Sequence, residues 1–350
     1  MKIWACAEPK TIFEGFRSGQ WIQKMKECRI EGFLILTVDV SREIPVEDIQ
    51  MVKALLDGEG FDMIGCGLAL GHPEGLDTPC FTYHKGWHIR RDIDNREVRW
   101  CNAVTPQLTE DLREKMVQQK QLGLTKFFWD DDLRQGNHEG DIQGCFCDDC
   151  LAEFAQRWKD IIPKGFCRET LRPVIARKPD ALTPEQQTLR AAWVQFQCDR
   201  ITGFMARTTV EGLRNGIMVM HNGDTRHGID IPAIRAAVPD CLFRVGEYMF
   251  EDALFEVPEN QQSLVNSVLN HMKLMGDPEN IFSESTVYPH GALNPENLRQ
   301  KILLERKCGL ENICLMGLER MNSEGYYTML RENRRLFEDT RKEFVLDGDK

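Results

Sequence analysis

Eight short apolar runs recur along the chain, and each is followed by a stretch with helical periodicity or by a long polar segment that contains one. The runs are "KIWACAE" (2–8), "GFLILTVDV" (32–40), "FDMIGCGLAL" (61–70), "TKFFWDD" (125–131), "GIMVMHNG" (216–223), "CLFRVGEYM" (241–249), "NIFSEST" (280–286) and "NICLMGLE" (312–319). They are continuously apolar rather than alternating, which is how a strand reads when both its faces are covered. Between them lie amphipathic stretches such as "SGQWIQKMKECR", "VEDIQMVKALLDGEG", "LTEDLREKMVQQKQLG", "QQSLVNSVLNHMKLMG" and "PENLRQKILLERKCG". Several open on Ser, Asp or Pro and close on Gly, as capped helices do.

Eight strands, each followed by helix, predict a (β/α)8 TIM barrel of class α/β. An open doubly wound sheet is the alternative, but no Gly-rich phosphate turn follows any strand. No repeat, low-complexity tract or linker is visible, so residues 1–350 read as one domain. Two insertions break the rhythm, at about 71–108 after the third strand and about 133–190 after the fourth. Both are expected at the C-terminal face of the barrel, where such enzymes keep their sites.

Hydrophobic residues at 42% and charged residues at 28% allow a sizeable core. A net charge of −11 argues against nucleic acid or an anionic membrane as partner, since both require clustered Lys and Arg. No 18-residue apolar window occurs, and "MKIWACAEPK" lacks a charged and then apolar leader, so an intracellular, cytoplasmic protein is expected. A homo-oligomer is compatible with the sequence, which sets no oligomeric state.

The odd count of 13 cysteines suggests free thiols plus one metal site rather than a disulfide framework. Cys66, Cys198 and Cys314 sit in apolar runs and read as core. The segment "GCFCDDC" (144–150) is different: Cys145, Cys147 and Cys150 can supply three tetrahedral ligands from one tight turn. The expected fourth is Cys101 in "RWCNAVTP", with Cys80, Cys167, His84 and His88 as rivals. Four protein ligands leave no open position, so the ion would be a structural Zn2+ tying one insertion to the other.

A Cys-x-Cys-x-x-Cys loop after the fourth strand, with a "WCN…P" segment upstream, resembles the zinc site of family 42 glycoside hydrolases, β-galactosidases of the clan A barrels. The resemblance covers about residues 2–340, and its specific part lies within 99–154. It implies an acid/base at the end of the fourth strand and a nucleophile at the end of the seventh. Glu284, in "FSESTVYP", matches the nucleophile position. The fourth strand departs from the family's "DNE" pattern and reads Asp130-Asp131-Asp132, so Asp132 by register, or Asp131, takes the acid/base position.

Glycoside hydrolysis needs two such carboxyls flanking the scissile bond. Other strand ends carry groups suited to sugar hydroxyls: Glu8, Asp39, Asp130, His221, Asn222, Glu247 and Glu319, with Trp129 and Tyr288 as stacking surfaces. Together they describe an acidic pocket with no cationic clamp at its centre. The expected activity is a glycosidase, with a retaining mechanism, cleaving a small glycoside or oligosaccharide. A metal-dependent sugar isomerase or epimerase built on His221, Glu247, Glu284 and Asp132 is the first rival. A non-catalytic carbohydrate-binding barrel is the second.

Overall fold

The apolar runs become β1 (Lys2–Ala7), β2 (Gly32–Asp39), β3 (Asp62–Leu68), β4 (Lys126–Trp129), β5 (Arg214–Val219), β6 (Leu242–Val245), β7 (Ile281–Thr286) and β8 (Asn312–Met316). Each strand pairs in parallel with its sequence neighbours, and β8 returns to β1, so the sheet closes into an eight-stranded barrel. The computed structural model describes residues 1–40, 42–70, 86–130, 133, 144–219, 225–246, 251–287, 292–318 and 324–346. Among them no helix is long and apolar enough to cross a membrane.

Strand alternation sorts side chains into two populations. Trp4, Leu34, Ile64, Phe128, Leu242, Phe282 and Cys314 point inward and fill the barrel. Ile3, Ala5, Phe33, Ile35, Phe127, Trp129, Phe243, Ile313 and Leu315 point outward into the layer beneath the helices. Gly65 and Gly67 on β3 belong to this outer layer. A Cβ on either would come within 2.6 Å of the Phe127 ring, so the glycines make the slot that Phe127 and Trp129 fill.

The helix after β4 is the main element that the periodicity did not announce. It runs 25 residues, Pro184–Thr208, and starts with a capping box between Thr183 and Gln186 and a proline in its first turn. Its weak amphipathicity has a cause: Ile201, Phe204 and Met205 pack on the barrel, while Leu189, Trp193 and Phe196 pack on a second core. Apolar on two faces, it lacks a single stripe.

That second core belongs to the insertions. It gathers Ala103, Cys145, Phe146, Cys147, Cys150, Leu151, Phe154, Leu171 and Val174 around Trp193 and Phe196. Phe146 stacks on Trp193 with centroids 4.7 Å apart, and Phe154 meets Trp193 edge-on at 5.1 Å. A hairpin of Ile89–Arg91 and Glu97–Asn102 from the first insertion borders it, and Phe146 N–H donates to the Arg91 carbonyl at 2.8 Å.

Candidate functional site

Inside the C-terminal end of the barrel one cation organises the acids. Arg244, on β6 between outward-facing Phe243 and Val245, points inward and is completely buried. Its Nη2 pairs with the Asp130 carboxylate, and its Nε lies 2.9 Å from Glu284 Oε2. The same guanidinium touches Met218 Sδ at 3.0 Å on β5 and sits 6.0 Å from the Phe128 ring centroid on β4. Burial alone would lower the Arg244 pKa; Asp130 first, then Glu284, hold it well above the ordinary arginine value. The expectation of an acidic pocket without a central cation is thereby corrected. Within the run "LFRV" a lone arginine had to be paired, because arginine is almost never buried otherwise.

Glu284 is the fourth residue of β7, only 5% exposed, and faces inward beside Cys314 and Arg244. Asp130 follows β4 directly, in register with inward Phe128, and accepts a 3.4 Å contact from the Cys66 thiol. The Cys6 and Cys66 thiols are pushed far up, by burial above all and then by Glu284 and Asp130 respectively, so they line the pocket as protonated, unreactive groups. Glu8, at the exit of β1, and Asp39, at the exit of β2, converge on Arg42 at 3.3 and 3.0 Å. Cys6, Glu8, Cys66, Asp130 and Arg244 line one pocket at this end of the barrel, with Leu36, Leu68 and Met316 as its apolar wall.

Glu8, Asp39, Asp130 and Glu284 thus stand at the same end of the barrel, as expected. Trp129 does not. It is wholly buried in the outer layer, edge-on to Phe127 at 4.8 Å and to Phe204 at 5.4 Å, so it offers no face to a substrate. The reason is alternation: if Phe128 and Asp130 look inward, Trp129 must look out. Asp131, Asp132, His221, Asn222, Glu247, Tyr288 and Glu319 lie outside the described residues, as do Cys80 and His84.

The thiol loop forms a separate cluster. Gly144 enters it at φ 140°, where a Cβ would strike the Gln197 side chain at 2.5 Å, so only glycine fits. Cys147 caps the helix Asp148–Arg157, whose N-terminal dipole favours a thiolate. Ligand atoms of His88, Cys145 and Cys147 lie within 4.8 Å of one another. Cys147 Sγ is 3.6 Å from His88 Nε2 and 3.4 Å from Cys150 Sγ. Bond lengths of about 2.3 Å to sulfur and 2.0 Å to nitrogen in a tetrahedron put such donors roughly 3.5 to 3.8 Å apart. The donor set therefore fits a metal ion.

Proton sharing links the same groups. Hydrogen bonds from Cys145, then Cys150, then His88 hold Cys147 far below an ordinary thiol, while Cys145 and Cys147 together with burial push Cys150 far up. Hydrogen bonds to Cys145 first and Cys147 second raise His88 to about 10. Cys101, the expected fourth ligand, is buried in the hairpin but is not a member of this group. Cys150 is likewise outside that three-residue group, and His88 reaches the group from the open end of the hairpin, where its carbonyl accepts the N–H of Ala103, itself part of the second core. Arg200 then reaches Cys150 Sγ at 3.3 Å and Glu153 at 3.0 Å, joining the loop to the long helix.

No family model matches this chain, and no curated protein matches it in sequence. Solved structures do. The glycoside hydrolase domain of PgaB (BpsB) from Bordetella bronchiseptica superposes with a TM-score of 0.66 at 12% identity, over 94% of this chain and 97% of that one. An α-amylase from Malbranchea cinnamomea gives a TM-score of 0.49 at 10% identity over 96% and 76%. The glycoside hydrolase domain of PelA from Pseudomonas aeruginosa gives 0.45 at 11% over 91% and 96%. At these identities the likeness establishes the barrel fold and nothing finer.

Proposed function

We propose that the chain is a glycoside hydrolase that cleaves a small glycoside or oligosaccharide with two carboxylates. The observation that carries this reading is the convergence of Glu284 and Asp130 on one buried guanidinium at the C-terminal end of the barrel. Barrel enzymes do their chemistry at that end. The match in fold to glycoside hydrolase domains supports it.

In this reading Glu284 attacks the anomeric carbon. Asp132 or Asp131 protonates the leaving oxygen and then removes a proton from water. Asp130, engaged by Arg244, serves to hold the guanidinium in place. Arg244 balances two carboxylates where little water reaches. Glu8 and Asp39, spaced by Arg42, offer acceptors to sugar hydroxyls. The family 42 likeness makes β-galactosides the first substrates to try, and a retaining outcome the first to expect.

Cys145, Cys147, Cys150 and His88 would hold Zn2+, which supplies a structural tie between the two insertions and no chemistry at the barrel mouth. No disulfide joins the described cysteines, which suits a reducing, cytoplasmic setting. The isomerase reading is weaker because a divalent cation between Asp130 and Glu284 would have to displace a buried guanidinium.

The test is hydrolysis of a panel of aryl glycosides and short oligosaccharides by wild type and Glu284→Gln, with and without chelator. Turnover that chelator spares and Glu284→Gln lowers by roughly three orders of magnitude is expected. An activity that chelator removes and manganese or magnesium restores would hand the site to the isomerase reading instead.

A further inference from the structure

The outer face of β7 breaks the rule that its neighbours obey. Where β6 and β8 send Phe243, Val245, Ile313 and Leu315 into the layer beneath the helices, β7 sends Ser283 and Ser285, the residues flanking Glu284. The helix Pro295–Cys308 meets them with Lys301 and Glu305, one turn apart and each only 1% exposed. Ser283 Oγ donates to Glu305 Oε1 at 2.5 Å. Lys301 Nζ donates to Ser285 Oγ at 2.7 Å and lies 3.4 Å from the Glu284 carbonyl oxygen. Two buried charges and two hydroxyls thus grip three consecutive residues of one strand from behind.

Burying a lysine and a glutamate costs more than a well-packed apolar pair would, so a role beyond stability is indicated. Burial pushes Glu305 up, against the opposing pull of Lys301 and the Ser283 hydroxyl. A cavity of about 20 Å3 bordered by Ser283, Glu284, Lys301, Glu305 and His271 lies beside the grip. It has room for one water, and Glu305 Oε2 and both His271 ring nitrogens, which lack protein partners, border it.

We propose that Lys301 and Glu305 are positioning residues that fix the height and rotation of β7, and so hold the inward Glu284 carboxylate against Arg244. The catalytic consequence rests on the glycosidase reading; the geometric one does not. Backbone displacement of about 1 Å at a reacting group costs on the order of a hundredfold in rate.

Lys301→Met, Glu305→Leu and the milder Ser285→Ala should each lower kcat by about tenfold to a hundredfold while KM changes much less. Lys301→Arg, which keeps a donor, and Glu305→Gln, which keeps an acceptor, should restore most of it. Ser285→Ala removes a single hydroxyl and keeps the test alive if the larger changes prevent folding. Crystal structures of the same variants give the readout that needs no substrate: the contact between Arg244 Nε and Glu284, 2.9 Å in the native chain, should lengthen or break. If that contact persists and kcat per folded molecule is unchanged, the proposal fails and the pair is merely structural. If no glycoside turns over in wild type, the glycosidase reading fails separately and the crystallographic result alone decides.

Discussion

The barrel mouth and the thiol loop are both polar clusters in an apolar setting, yet they are built in opposite ways. The mouth draws Cys66, Asp130, Arg244 and Glu284 from four strands or their exits, with Asp130 and Arg244 114 positions apart. The thiol loop takes Cys145, Cys147 and Cys150 from a single turn and adds one histidine 59 residues from Cys147. A site assembled across a barrel depends on every strand keeping its register. A site assembled within a turn depends on a few local dihedrals and one docked hairpin. Damage at the first should spread through the fold, whereas damage at the second should stay local.

Arg244→Met is the sharpest way to break that comparison. It strands two carboxylates in a buried pocket, and removing one partner of such a cluster costs about 3–5 kcal/mol. Chemical denaturation should show that loss across the whole molecule, along with loss of any turnover. A variant as stable as wild type would mean that the guanidinium is not the centre of charge balance.

Chelation at the proposed zinc loop should act on a smaller region. After chelation, limited proteolysis is expected to open the hairpin around residues 86–103 and the helices between 148 and 176, while the barrel's far-UV dichroism is retained. Metal analysis of the native protein should return about one zinc per chain. Cooperative unfolding of the entire chain on chelation would erase the distinction between the two sites.

The smallest effect concerns acid. Burial holds His271 down at about 4, below the 6.5 of an exposed imidazole. Its folded pKa is depressed, so the unfolded chain binds the proton first. Stability is therefore full above about pH 6.5 and is lost as pH falls toward 4, by on the order of 3 kcal/mol. His271→Phe should flatten that limb when unfolding free energies are compared at pH 7 and pH 4.5. Glu305, raised by the same burial, titrates in the opposite sense and cancels in the comparison with wild type. Identical acid limbs in the two proteins would show that His271 is solvated.

The two regions also differ in what a reader of the chain could see. Three cysteines in six residues announce themselves, because ligand spacing within a turn is a local property. Which further group stands beside them is not local: His88 joins Cys145 and Cys147 while Cys101 stays outside that group, because the outcome depends on how the hairpin meets the second core. At the mouth, Glu284 matches the strand-seven position that the family resemblance implies for a nucleophile, but Arg244 in "LFRV" reads as an ordinary part of a strand. Trp129 was assigned to the pocket because position along β4 was weighed and the direction of its side chain was not.

The amino-acid sequence by itself determined the barrel: eight continuously apolar runs, each bounded by caps and turns, leave few other ways to cover both faces of every strand. It also determined the acids at the strand exits and the thiol loop, because each is encoded within a few consecutive residues. Tertiary structure alone decided that Arg244 bridges Asp130 and Glu284, that His88 joins the thiols, and that Lys301 and Glu305 grip β7 from behind. Those pairings join residues far apart in the chain, and side-chain direction, which alternates every residue along a strand, selects them only once the barrel has closed.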